Sequence, residues 1–284
     1  MSTSDLRSDG PALSRLWCAY FAANREAPDE LPWHDPYVLT AVERRTIAHS
    51  IRQFQLGEAA EGRRLQMRGR VYSDSAGDAA FPNALLLFIK EEQRHSGQLL
   101  RFMRMHGIPP VGKHWLDGVF RRVRVMAGLE LELRVLVTAE VIAVPYYRAL
   151  AGATRSELLG AISRRILRDE AGHLRFQASM LSRLRRGRLG LLRRAVWYAH
   201  RAFLLGTCCV VWAEHRPVFS AAGYSFVRFV REALEQFASL QSAASLQAAL
   251  GPEFSAPPNS DYCRSEYRAT PPVTSSEVHI SLHR

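Results

Sequence analysis

Two short stretches decide how this chain folds: Glu91-Glu92-Gln93-Arg94-His95 and Asp169-Glu170-Ala171-Gly172-His173. Each contains Glu-x-x-His, and residues three apart on a helix share a face. Each stretch can therefore aim a carboxylate and an imidazole at one point. Both sit on apolar seams with helical spacing: Leu85, Phe88, Glu92, His95, Leu99, Phe102 in one, and Leu159, Ile162, Ile166, Glu170, His173, Met180, Leu184 in the other. Two upstream seams carry glutamates in line with apolar residues: Ile47, Ile51, Phe54, Glu58, Glu61, Leu65, and then Leu129, Leu133, Leu136, Glu140, Ala143, Tyr147, Leu150.

These seams predict four long helices, over about 36–70, 82–107, 129–151 and 154–187. Asp35-Pro36 reads as N-cap and first helical position of the first. Thr154-Arg155-Ser156-Glu157 reads as a capping box opening the fourth. A short helix is expected over 12–25, and a connector with Trp115 and a short helix over 114–126. Two accessory helices follow, over about 189–215 and 223–250, stopped by Pro217 and by Gly251-Pro252. The division expected is an N-terminal arm (1–35), a four-helix bundle (36–187), the accessory pair (188–251) and a Pro/Ser-rich disordered tail (252–284). The fold class is all-α.

Charged groups on apolar seams are costly to bury without partners. A pair of divalent metals supplies them. Glu58, Glu92, His95, Glu140, Glu170 and His173 form the ligand pattern of di-iron and di-manganese carboxylate bundles. Glu58 precedes Glu92 by 34 residues and Glu140 precedes Glu170 by 30, which suits two antiparallel hairpins. Glu61 competes with Glu58. Aligning Glu58 with Glu140 superposes the two seams step for step, so Glu58 is the expected ligand and Glu61 a proton relay or extra ligand. Carboxylate-rich ligation with two imidazoles suits iron, or a manganese–iron pair, better than zinc or copper.

The four-helix pattern resembles the ferritin-like di-iron carboxylate superfamily over roughly residues 36–185. Glu91-Glu92-Gln93-Arg94-His95 is similar to the EExRH and DExRH boxes of its oxygenase and acyl-carrier-protein desaturase branches. The resemblance implies bridging carboxylates from Glu92 and Glu170, terminal ones from Glu58 and Glu140, and one histidine on each iron. It also implies that Glu91 and Asp169 hold the far nitrogens of those histidines, as outer carboxylates do generally. Gly172 departs from the pattern, because those branches carry Arg there.

Tyr147 lies two turns after Glu140 on the same face, placed to donate a proton or an electron; a core tyrosine with a satisfied hydroxyl is the competing reading. Pro145 removes a backbone hydrogen bond from the third helix and predicts a kink or bulge. The kink would open an apolar pocket lined by Ala143, Val144 and Phe88.

The net charge of +11 comes almost wholly from arginine, since Lys90 and Lys113 are the only lysines. That balance allows an acidic partner such as a carrier protein or a ferredoxin. The four cysteines form no CxxC or zinc spacing, which fits a reducing, cytoplasmic compartment. No secretory signal is read at the N-terminus. The apolar run 202–213 is too short to span a bilayer.

The expectation is an O2-dependent di-iron oxidoreductase of the monooxygenase type, acting by hydroxylation, N-oxygenation or desaturation. Its substrate would be a largely apolar small molecule or an acyl-carrier-bound one. An external electron donor such as a ferredoxin is expected, and a homodimer is compatible. The competing readings are a tRNA-modifying di-iron hydroxylase, which would bring a nucleic-acid partner, and an iron-storage protein.

Overall fold

The computed structural model describes residues 5–26, 30–59, 62–112, 128–185 and 189–249, with side chains from 11 to 240. All regular structure among them is helical. The helices are α1 (Asp5–Glu26), α2 (Ala41–Glu58), α3 (Arg63–Ala76), α4 (Phe81–Met105), α5 (Leu129–Gly152), α6 (Glu157–Leu184), α7 (Gly190–Ala221) and α8 (Phe226–Ala249). The expected connector helix at 114–126, Glu61 and the tail from 252 lie outside the described residues.

Several boundaries differ from expectation, each for a local reason. The expected helix over 36–70 is two helices. α2 ends at Glu58, and α3 begins after Gly62, whose φ of 61° is a left-handed conformation that glycine adopts without strain. Its seam continues in register across the break, so periodicity alone concealed it. α3 then runs to Ala76, past the end expected near residue 70, and ends at Gly77 with φ 67°. α2 starts five residues later than expected because Thr40 and Glu43 form its capping box. Asp35 caps a different helix: its carboxylate accepts from the backbone N–H of Leu158 at 3.1 Å, in the first turn of α6. There Ser156, rather than Thr154, is the N-cap and accepts from Leu159 N–H. α1 begins at Asp5 instead of residue 12 and carries Pro11 within it. α7 continues past Pro217 to Ala221. α5 stays α-helical across Pro145, so the expected bulge is not there.

α2 packs on α4, and α5 packs along the length of α6; α4 meets α6 to join the two pairs. The shared interior holds Ile47 and Ile51 from α2, Leu85, Leu99 and Phe102 from α4, Leu133 and Val137 from α5, and Leu159, Ile162 and Met180 from α6. Burying each such side chain contributes about 1.5–3 kcal/mol. α1 lies along α4 and closes one side with Trp17 and Phe21, whose rings meet Phe176 of α6. α7 and α8 cover the opposite side, packing on α5, α6 and α2. α5 is long and apolar enough to cross a membrane by length and composition, and 72% of its apolar window is buried inside the protein. The core helix of a bundle has the same composition.

Candidate metal centre

Each helix of the two pairs brings its acid to one level of the interior. Glu58 is the last residue of α2, while Glu92 and His95 sit midway along α4, Glu140 along α5, and Glu170 and His173 along α6. They make two overlapping groups: Glu58, Glu92, His95 and Glu170, and Glu92, Glu140, Glu170 and His173. Within each group one ligand atom per residue lies within 4.8 Å of the others, so each group could hold a metal ion. Glu92 and Glu170 belong to both. His95, Glu170 and His173 are fully buried, and Glu58 and Glu140 nearly so.

The outer ring is crossed between helices. His95 Nε2 lies 3.0 Å from Asp169 Oδ2, and His173 Nε2 lies 2.9 Å from Glu91 Oε2. The acid preceding each Glu-x-x-His thus holds the imidazole of the other. Arg94 ties the pair together, donating from Nη2 to Glu91 Oε1 and to Asp169 Oδ2 at 2.8 Å each. Arg165 adds a contact to Asp169 at 3.3 Å. Burial pushes Asp169 upward, but the bond from His95 and the charges of Arg94 and Arg165 outweigh it and hold the carboxyl at about 2.

With each Nε2–H donated to a carboxylate, each Nδ1 turns a lone pair inward, toward carboxylates. His173 Nδ1 is 2.8 Å from Glu92 Oε1 and 3.4 Å from Glu170 Oε2; His95 Nδ1 is 3.9 Å from Glu170 Oε1. Yet Glu92 Oε1, both Glu170 oxygens and both Nδ1 atoms are buried without a hydrogen bond of sound geometry. Buried polar atoms are ordinarily paired, and here the unpaired ones are a set of metal-ligand atoms converging on one space. The donor set suits a divalent cation.

The electrostatics agree. Burial first, then the neighbouring carboxylates, raises Glu58 and Glu140 well above the usual range and raises Glu92 as well. Burial takes Glu170 to about 7. For His173, burial would lower the value, but the carboxylates, Glu92 foremost, raise it well above the usual one. The interior attracts positive charge, as protons or as a metal.

Three neighbours of the centre were not anticipated. Gln177 donates from Nε2 to Glu140 Oε1 at 2.9 Å; its position one turn after His173 was the available signal. Arg165 stands one turn before Asp169 on the same helix. Tyr20 of α1 packs where a side chain at Gly172 would go: a Cβ there would come within 2.7 Å of Tyr20 Cζ. The absence of Arg at that position makes room for α1.

Tyr147 is fully buried and its hydroxyl donates to Glu58 Oε1 at 2.6 Å. Burial, then the charge of Glu58, raises its phenol well above the usual value. Ala143, Val144 and Phe88, expected to line a pocket, are core residues; the Phe88 ring packs edge-on against His173 at 4.8 Å. A cavity of about 660 Å³ lies elsewhere, between the start of α5, the end of α6 and α7, lined by Leu131, Val135, Leu184, Val196 and Phe203. It touches none of the candidate ligands. At its wall His200 is buried against Arg134 and Thr138, and burial lowers it to about 4.

No family model, curated protein or solved structure matches the chain.

Proposed function

We propose that the chain is a di-iron oxidoreductase of ferritin-like type that reduces dioxygen and oxidises a largely apolar substrate. The observation that carries this reading is the pair of overlapping Glu/His groups, in which Glu92 Oε1, both Glu170 oxygens and both histidine Nδ1 atoms are buried, unpaired and convergent. One ion would take Glu58 and His95, the other Glu140 and His173, with Glu92 and Glu170 shared. Two such ions, when bound and reduced, supply the electrons for dioxygen chemistry, and a manganese–iron pair fits the same donors.

The rest belongs to the chain's own residues. Asp169 and Glu91 fix the imidazoles so that each Nδ1 points inward, as outer carboxylates do at metal sites generally. Gln177 orients Glu140. The Tyr147 hydroxyl oxygen lies 2.6 Å from Glu58 Oε1, and its proton can pass to that carboxylate. Phe21, Phe88 and Phe176 wall the His173 side and exclude water. Dryness strengthens every charge interaction within. An external one-electron donor and a small or carrier-bound substrate complete the scheme, and a cytoplasmic setting agrees with Cys18, Cys208 and Cys209 forming no disulfide.

The test is anaerobic reconstitution with ferrous iron followed by exposure to dioxygen. Stoichiometric oxygen consumption without mineral growth supports the proposal. Mineral growth far beyond the site's capacity supports storage instead, and no oxygen consumption by iron-loaded protein overturns it.

A further inference from the structure

Beyond Tyr147 the aromatic interior continues outward. Tyr146 is also fully buried, with its ring centroid 5.2 Å from that of Tyr147. Phe54 stacks on Tyr146 at 3.3 Å, nearly parallel, and meets Tyr147 edge-on at 5.8 Å. On the far side Tyr146 meets Phe219 at 6.3 Å, and Phe219 stacks on Trp212 at 5.3 Å. Trp212 is partly exposed on α7. A separate polar chain leaves the Tyr146 hydroxyl: Ser50 Oγ is 3.0 Å from it and 2.9 Å from His215 Nδ1, with Ser50 and His215 both buried. His215 in turn lies beside His49, whose side chain is 61% exposed and contacts Glu214 at the surface.

A packing role alone would be met by phenylalanine at both tyrosine positions. Tyrosine and tryptophan are the side chains that give up one electron most readily, and a phenol that does so must also shed its proton. Both tyrosines have a buried acceptor or hydroxyl in reach for that proton. Resting on the oxidoreductase reading, we propose that Trp212, Tyr146 and Tyr147 form a route that carries single electrons from the α7 surface to the candidate metal centre.

The steps balance. With metal bound and oxidised, Tyr147 would give it one electron while the phenolic proton crosses the 2.6 Å to Glu58 Oε1. Tyr146 then returns an electron to the Tyr147 phenoxyl, which takes its proton back from Glu58. The Ser50 hydroxyl, which donates to the Tyr146 oxygen at rest, turns to His215 Nδ1; the proton of Tyr146 then passes to Ser50 as the Ser50 proton passes to His215, since hydroxyls both donate and accept and histidine serves as the shuttle. Trp212 reduces the Tyr146 phenoxyl, the proton returns along the same path, and an external iron–sulfur or flavin protein re-reduces Trp212.

The test is pulse radiolysis of the full chain with azide radical, which oxidises indole first. The pulse runs the Trp212–Tyr146 step in reverse, from tyrosine to the indolyl radical, so the expected result is decay of indolyl absorbance and growth of phenoxyl absorbance at one shared rate, independent of protein concentration. Trp212→Phe and Tyr146→Phe should each remove more than half of that growth, and Ser50→Ala should slow it. Tyr146→Phe deletes only a hydroxyl, so it remains informative if Trp212→Phe is poorly folded by near-ultraviolet circular dichroism. Phenoxyl growth unchanged in both variants overturns the route. The pulse acts whether or not metal is bound, so a negative result here leaves the metal count untouched, and a failed metal count leaves this transfer measurable.

Discussion

The crossed outer ring makes a prediction about which residues act as pairs. Glu91 precedes Glu92 and His95 on α4, yet its carboxylate holds His173 of α6 at 2.9 Å. Asp169 precedes Glu170 and His173, yet holds His95 at 3.0 Å. A buried hydrogen bond with a charged partner contributes about 1.5–3 kcal/mol net, and contacting residues show coupling of about 0.5–3 kcal/mol in double-mutant cycles. The cycle of Glu91→Gln with His173→Ala should therefore give a coupling of about 1.5–2 kcal/mol, and so should Asp169→Asn with His95→Ala. The same-helix cycles, Glu91→Gln with His95→Ala and Asp169→Asn with His173→Ala, should give less than about 0.5 kcal/mol. Loss of the Arg94 contact to Glu91 is common to both Glu91 cycles and cancels between them. The assay is urea unfolding with a chelator present, so that metal affinity does not enter. Coupling that is stronger along each helix than across would refute the crossed arrangement.

Other outcomes follow from single contacts. Glu43 accepts from the Arg155 backbone N–H at 2.8 Å and from Thr40, tying the start of α2 to the start of α6. Burial pushes Glu43 upward, but these donors outweigh it and hold it at about 2, below its ordinary 4.5. The folded value is depressed, so its stabilisation is complete above 4.5 and is lost as pH falls toward about 2. The stability difference between the natural chain and Glu43→Gln should close over that window in thermal scans; a difference independent of pH would count against the assignment. Gly172→Arg restores the box residue but collides with Tyr20. Overpacking of this kind costs about 1–3 kcal/mol, and proteolysis should then cut α1 more readily; unchanged protection of α1 would show that Tyr20 moves aside freely.

The sequence made the interior legible because one spacing served two purposes. The apolar residues that fill the core and the six candidate ligands fall on the same helical seams, so reading one set exposed the other. The outer ring was less legible. Which histidine Glu91 or Asp169 serves depends on how α4 and α6 face each other, and no spacing within either helix encodes that. Helix ends misled where one residue type serves two purposes. Asp35 looked like the N-cap of the helix that follows it, whereas it reaches across 123 positions to α6. Gly62 ended a seam whose register carried on beyond it. Gly172 departs from the box pattern because Tyr20 of α1 occupies its space, a contact between distant segments.

The most direct test of the metal centre is a metal count on reconstituted protein, paired with Glu92→Ala and Glu170→Ala. Glu92 and Glu170 belong to both ligand groups. The natural protein should bind two ions per chain, and each alanine variant should lose both while circular dichroism stays helical. Less than one ion per chain in the natural protein, or undiminished occupancy in both variants, would contradict the metal centre.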